Sequence, residues 1–471
     1  MASQPSSTEE QYATGRALIL AAVAALGGFL FGFDTAVING TVTAVRAQFE
    51  MGSGLTGFVV SSALLGCVAG AYLAGRLADR IGRTRVMVIA AALFFVSAAG
   101  SGLAFGPADL IGWRVLGGLG VGAASVIAPA YIAEISPASI RGRLGSLQQL
   151  AIVTGIFVAL LSDAWLAAIA GGAAEQLWWG MEAWRWMFIA EVIPAAVYGV
   201  MALTIPESPR FLVARGDLER ARAVLGEVLK TGIDDRIAEI VRTVKRDARS
   251  SFRDLLNPGG RGLLPIVWIG VALSVFQQFV GINVIFYYSS TLWQSVGFTE
   301  SDALTQTVIT SVTNIVVTLV AIALIDKIGR RRLLTIGSVG MFLTLGTLAY
   351  IFATAPLVQG DEGLEPALGD TQGVIALVAA NLFVVFFGIS WGPAVWVLLG
   401  EMFNNKIRGT ALGLAAAAQW LANFAISTSF PAMADVGLGF AYGFYTLFAF
   451  LSLVFVLKFV PETKGRQLED M

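Results

Sequence analysis

The sequence predicts an all-α membrane protein: twelve transmembrane helices in two pseudosymmetric six-helix bundles, joined by a helical linker. Three observations predict it. Hydrophobic residues make up 56 % of the 471 and charged residues only 13 %, against about 25 % charged in soluble domains, and the mean hydropathy is +0.75. Apolar runs long enough to span a bilayer fall into two sets of six around one charged segment. Three motifs of the first set recur, in the same order, in the second.

The first residues, 1–16, are polar and mixed in charge. They have the make-up of a short cytoplasmic tail rather than a signal peptide. Spans 1 to 6 are expected at roughly 17–39, 55–75, 86–106, 110–132, 144–169 and 185–205, so the first bundle is 17–205. Residues 206–261 are too charged to enter the bilayer; patterning such as GDLERARAVLGEVLK marks them as a cytoplasmic linker with short amphipathic helices. Spans 7 to 12 are expected at roughly 263–293, 303–325, 333–355, 373–400, 409–432 and 438–460. The second bundle is therefore 262–460, followed by a cytoplasmic tail, 461–471.

Orientation follows from the basic residues. Arg76, Arg80, Arg83 and Arg85 follow span 2, Arg141 and Arg143 follow span 4, and Lys327 and Arg330 to Arg332 follow span 8. The alternate loops hold almost none, and VQGDEGLEPALGD between spans 9 and 10 is purely acidic. Both termini are thus expected in the cytoplasm.

The repeat is specific. GRLADRIGRTR at 75–85 is matched by DKIGRRR at 326–332, Glu134 with Arg141 by Glu401 with Arg408, and PESPRFL at 206–212 by PETKGRQL at 461–468. A duplicated six-helix unit produces that, and such duplication is the mark of secondary transporters, with the site between the repeats near midplane. The repeated motifs place Asp79, Arg80, Arg83, Glu134, Arg141, Asp326, Arg330, Glu401 and Arg408 at helix ends. The reading is a cytoplasmic gate, with charges facing one another across the two halves. Positive-inside anchoring accounts for part of them.

Span 7 carries Gln277, Gln278, Asn283, Tyr287 and Tyr288. A carboxamide facing lipid costs about 2–7 kcal/mol, and at about 100° per residue these three cannot share one narrow face. Either protein surrounds the helix or it breaks, and Gly281 permits a break. Carboxamides and phenols donate and accept, which suits a neutral ligand rich in hydroxyls.

The ionisable residues expected inside the membrane are three: Asp34, Arg114 and Glu191. Asp34 lies about 26 Å along an outward helix, and the other two about 7–9 Å below the outer edge, so all three fit one slab. Two carboxylates against one guanidinium leave a proton to be contested; a static pair that only orients helices is the alternative. The chain has no histidine and one cysteine, Cys67. That removes the usual proton carrier, an intramolecular disulfide and a cysteine-based metal site. No nucleophile–base pair or phosphate loop suggests an enzyme, no basic tract suggests nucleic acid, and neither a cofactor nor a metal is expected.

Taken together, GRLADRIGR, the paired E-x₆-RG, PESPR, QQFVGIN, GRRR and PETKG resemble the sugar porters of the major facilitator superfamily. The resemblance runs from Arg16 to Leu468. It implies a monomeric carrier in the cytoplasmic membrane whose bundles rock around a central monosaccharide. Residue by residue, it implies Phe31 and Gln149 in the N-terminal wall. Gln277, Gln278 and Asn283 become the main hydroxyl ligands, with Tyr287 and Asn314 beside them, and Trp396, Gln419 and Trp420 form the C-terminal wall. Asp34 matches the proton-coupling aspartate of the symporters, with Arg114 and Glu191 as its partners. Two departures stand out. The family's xylose symporter has a glutamine seven residues after the counterpart of Gln149, where this chain has Ile156; and GRTR replaces GRR in the first cytoplasmic motif. The function implied is proton-coupled import of a hexose, glucose first. A facilitative uniporter, or a symporter of xylose or galactose, is the alternative.

Overall fold

The computed structural model describes residues 13–137, 140–246, 252–257, 262–360, 363–403 and 407–462. Span 1 is two helices, α1 (Thr14–Ala36) and α2 (Ile38–Gln48), turning at Val37. Spans 2 to 5 are single helices: α3 (Ser53–Ile81), α4 (Arg83–Gly102), α5 (Pro107–Ile135) and α6 (Arg141–Ala170). Span 6 is α7 (Ala183–Ala190) and α8 (Val192–Thr204), and the linker forms α9 (Pro209–Ala214), α10 (Leu218–Val228) and α11 (Ile233–Arg246). In the second half, span 7 is α12 (Pro265–Phe279) and α13 (Ile282–Gln294), followed by α14 (Glu300–Ile328) and α15 (Arg330–Ala353). Span 10 is α16 (Asp370–Ile389) and α17 (Trp391–Met402), and α18 (Arg408–Val436) and α19 (Leu438–Phe459) close the chain.

Eleven spans of the described residues are long and apolar enough to cross a membrane. The remaining long helix, α18, has 29 residues. It is less apolar because Gln419, Asn423 and Ser427 recur every fourth position along it. Such a stripe suits an interior wall rather than a lipid-facing surface. Lipid-facing character shows elsewhere: Tyr72, Ile193, Leu203 and Phe459 stand more than half exposed, which an aqueous protein would avoid and a bilayer satisfies.

The breaks in the spans have local causes. Gly281 sits at φ +83°, the left-handed region a residue with a Cβ avoids. The breaks at Glu191 and Ser390 each precede a proline by three residues, Pro194 and Pro393. Proline offers no N–H to the carbonyl four residues back. No such residue marks the turn at Val37.

Close approach holds the helices together in place of a hydrophobic drive. A Cβ on Gly118 of α5 would lie 1.9 Å from the Ala63 carbonyl oxygen of α3, and one on Gly155 of α6 would lie 2.0 Å from that of Phe29 on α1. The halves meet where α3 packs on α18, α6 on α14, and α2 on α13. One departure from an all-α chain lies in the acidic loop, where β1 (Leu357–Gly360) and β2 (Gly363–Pro366) pair antiparallel.

The linker helices bury their own small core, including Leu212, Val224, Leu225 and Ile240. They also tie to the first span, through Ala13 N–H to the Val228 carbonyl at 2.8 Å and Arg16 to Glu227 at 2.6 Å. The end of the bundle that carries them is called the linker face below, and the opposite end the far face.

Candidate functional site

The break at Gly281 turns the carboxamides of span 7 inward. Gln277 and Gln278 close α12, and both are buried. Gln277 Nε2 donates to the Trp391 carbonyl at 2.8 Å and to that of Gly392 at 3.3 Å. These carbonyls lie just after the break between α16 and α17, so one broken span secures the other. Gln278 Nε2 donates to Gln277 Oε1 at 3.4 Å, and Asn283 Nδ2 to Gln278 Oε1 at 2.5 Å. Three carboxamides thus run in one chain from α13 to α17, each able to redirect a donor or acceptor.

The polar stripe of α18 meets the same helix. Asn423 Nδ2 reaches Tyr287 Oη at 3.4 Å, Ser427 Oγ donates to Asn423 Oδ1 at 3.0 Å, and Tyr288 Oη donates to the Ser427 carbonyl at 2.7 Å. Gln419 Oε1 is buried without a hydrogen-bond partner among the described residues. Phe31 of α1 faces Trp420 of α18 with ring centroids 5.6 Å apart, so an aromatic pair bridges the halves beside the amides. Asn314 lies against Gly388 of α16, its Oδ1 3.9 Å from where a Cβ would stand. Gln149 and Trp396 are exposed, and no described hydrogen bond joins them to the carboxamide chain. Its neighbour Gln148 is buried, with both carboxamide atoms unpaired, close against Gly28 of α1. Asn423 and Gln148 were missed by sequence reasoning. The signal for Asn423 was its four-residue spacing from Gln419.

Asp34, Arg114 and Glu191 come together as their depths predicted, each about 2 % exposed or less. Arg114 Nη1 donates to the Asp34 main-chain carbonyl at 2.9 Å and to its Oδ1 at 3.3 Å. Asp34 Oδ2 and Glu191 Oε1 have no partner among the described residues. Gly117 permits the approach, since a Cβ there would lie 3.0 Å from Asp34 Oδ1. Glu191 occupies the break between α7 and α8, and the Phe188 ring lies 6.0 Å from the Arg114 guanidinium. Here the guanidinium holds Asp34. The expectation of three buried ionisable residues needs correcting. Asp163 of α6 is a fourth, fully buried, at the same depth in span 5 as Glu191 in span 6.

On the far face the halves are bonded together. Asn39 Nδ2 donates to the Phe286 carbonyl at 2.8 Å and to Ser289 Oγ at 3.0 Å, while Asn39 Oδ1 accepts from Ser290 N–H at 3.2 Å. Ser61 and Thr428 share a hydrogen bond of 2.6 Å, and Ala173 N–H donates to Glu300 Oε1 at 2.9 Å.

On the linker face the described ion pairs close within each half. Arg83 bridges Asp79 at 3.2 Å and Glu134 at 3.1 Å, and Arg330 bridges Glu401 at 2.7 Å. Glu207 of PESPR accepts the N–H of Arg83 at 2.8 Å and Thr84 at 3.3 Å; Glu462 of PETKG does the same for Arg330 at 3.0 Å and Arg331 at 3.2 Å. Each glutamate satisfies the orphan donors at the start of a helix, where the dipole favours negative charge. Gly82 and Gly329 make room, since a Cβ would lie 2.1 Å and 2.9 Å from those carboxylates. Arg80 is exposed, and its carbonyl accepts from Arg215. The side chains of Arg141, Asp326 and Arg408 lie outside the described residues.

The architecture is that of a solved transporter. Over 95 % of this chain and 97 % of the other, the structure superposes on the inward-open xylose transporter of Escherichia coli with a TM-score of 0.79 at 38 % identity. A family model described as "Sugar (and other) transporter" matches residues 20–471. The chain belongs to the sugar transporter family. This family of the major facilitator superfamily comprises carriers, not enzymes. A glucose transport protein from a Synechocystis species is 60 % identical over 456 residues, 96 % of each chain. The D-xylose-proton symporter of Escherichia coli K12 is 38 % identical over 495 aligned positions, covering 98 % of this chain and 96 % of its own. As a sugar transporter, the chain is a multi-pass membrane protein whose substrate is a monosaccharide.

Proposed function

We propose that the protein imports a hexose, glucose first, together with a proton across the cytoplasmic membrane by alternating access. What carries the coupling is one observation: two carboxylates, Asp34 and Glu191, are buried with one guanidinium, and in a conformation closed on the far face it pairs with Asp34 alone. The described state is then inward-facing, with the linker face and both termini in the cytoplasm. Closure toward the periplasmic side brings Arg114 to Asp34, which favours the ionised carboxylate and releases its proton inward. Outward opening passes the guanidinium to Glu191, and Asp34 takes up a proton from outside.

The sugar lies against the chain Gln277–Gln278–Asn283, with Tyr287, Asn314 and Gln149 completing the hydroxyl contacts. Phe31, Trp396 and Trp420 cover its C–H face, the side of a pyranose that amides leave bare. Gln419 adds an acceptor. Glucose is supported by the 60 % identical glucose transport protein and by Ile156, which offers nothing polar to a pentose. The linker-face pairs form the inner gate when that face closes. A uniporter of the same fold is the second reading. It is favoured by the fact that the relatives named for proton symport are the more distant ones. The test is uptake of labelled glucose into vesicles with an imposed proton gradient, and again with that gradient collapsed. Accumulation only under the gradient supports symport; equal equilibration in both supports the uniporter.

A further inference from the structure

Asp163 is unlike the other buried charges. Its side chain is 0 % exposed, neither carboxylate oxygen makes a well-aligned hydrogen bond to a described residue, and the one described donor that faces it is the Gly40 main-chain N–H. It stands two turns from the far-face end of α6 and packs on Gly40 of α2. A Cβ at Gly40 would lie 2.6 Å from Asp163 Cβ and 2.8 Å from Oδ2. The preceding residue, Asn39, is the one that clamps α2 to α13. So α2 lies between α13 of the other half, which Asn39 holds, and α6 of its own half, where Gly40 meets Asp163.

Among the described residues, no counter-charge reaches Asp163 from the elements packed on α6. On α2, Arg46 reaches Ser53 at 3.4 Å. On α7, Arg185 is held by Glu182 at 2.6 Å. On α14, Glu300 and Asp302 sit in the first turn, taken by the Ala173 N–H and by Thr299, and Lys327 and Asp326 lie at the opposite end. On α1, Arg16 pairs with Glu227 and Asp34 with Arg114. On α5, Asp109 accepts the Phe105 N–H at 3.1 Å and Glu134 pairs with Arg83.

Transfer of an isolated ionised carboxylate into such surroundings is far costlier than protonating it. We propose that Asp163 is a second proton-binding site: it takes a proton when α2 closes on α6 and loses it when the far face opens and water reaches it. Closing the far face then carries one proton, so the closed-to-open ratio falls by up to tenfold per pH unit while the open-state carboxyl is ionised. The inference rests on the alternating-access part of the proposed function but not on Asp34 as the coupling residue.

The test is spin-label distance measurement across the far face in the purified full-length protein. Labels are attached once to Ala47→Cys and Ser301→Cys, both exposed positions on opposite halves, and the sample is then titrated from pH 5 to pH 9. The native cysteine, Cys67, is buried. The expected result is a long-distance population that grows with pH in the parent and stays at its low-pH level in Asp163→Asn. Gly40→Ala, which forces α2 away from Asp163, should show the long distance even at low pH and serves if Asp163→Asn does not fold. No pH response in the parent, or the same response in Asp163→Asn, overturns the proposal. So does a response removed by Asp34→Asn but kept in Asp163→Asn, which assigns the far-face proton to Asp34. Loss of gradient-driven uptake in Asp34→Asn with this pH response intact leaves both readings standing. Intact uptake there removes the coupling role of Asp34 alone.

Discussion

Replacing Asn283 by alanine removes the last member of the carboxamide chain. Its Nδ2 is the donor 2.5 Å from Gln278 Oε1, and Gln278 in turn leans on Gln277, which holds the Trp391 carbonyl at 2.8 Å. Alanine leaves Gln278 Oε1 without that donor, in a side chain only 5 % exposed. A buried polar group left unsatisfied costs about 1–3 kcal/mol. With sugar bound, the same substitution also takes away a hydroxyl partner in a desolvated contact. The expected loss of affinity is on the order of ten- to a hundredfold in Kd. Isothermal titration of glucose into the solubilised protein reads it, with thermal unfolding as the control. Gln278→Ala should lose affinity to a similar degree, and each variant should unfold within a few degrees of the parent. Near-native Kd in both variants would refute placing the sugar on this chain.

Gly281→Ala should lower the unfolding temperature. The left-handed backbone alone costs about 1–2 kcal/mol, and the new Cβ would stand 2.8 Å from the Tyr445 ring; an unchanged transition would mean the break is not fixed there. Asn39→Ala removes three hydrogen bonds across the far face, each worth about 0.5–1.5 kcal/mol. Labelling of Val42→Cys, buried while the far face is closed, should then quicken from outside on the order of tenfold or more, and an unchanged rate contradicts the role of Asn39 in closure. In a competition panel, unlabelled glucose should displace labelled glucose better than xylose does; the reverse order removes the argument from Ile156.

The membrane made most of this fold legible. Lipid forces long apolar runs, so spans 1 to 12 could be placed from hydropathy, and even α18 was found although its interior stripe lowers its apolar character. The break at Gly281 was one of two readings the crowd of carboxamides allowed, a break or a helix surrounded by protein, and the glycine marked where a break would fall. The breaks at Glu191 and Ser390 carried a signal in Pro194 and Pro393 that hydropathy overlooks, whereas Val37 carries none. The trio Asp34, Arg114 and Glu191 could be assembled from depth alone, since helices of known direction fix height. What depth does not give is rotation about the helix axis. Hence Gln148 could not be told from Gln149; Asp163, six residues from the outer end of its span, lies as deep as Glu191, and depth alone would have included it. The linker-face charges show a different limit. Sequence supplies the candidate partners, but not which of them pair.

Asp34→Asn tests the central claim most directly. Asparagine keeps the shape and hydrogen bonding of the protonated acid, and it cannot release a proton. In vesicles preloaded with unlabelled glucose, the variant should still exchange labelled glucose at a rate comparable to the parent. Under an imposed proton gradient it should lose the power to concentrate the sugar. Arg114→Ala, by contrast, should damage both activities, because it leaves buried carboxylates without their counter-charge. If Asp34→Asn still accumulates glucose against its concentration gradient, Asp34 does not couple the proton to the sugar.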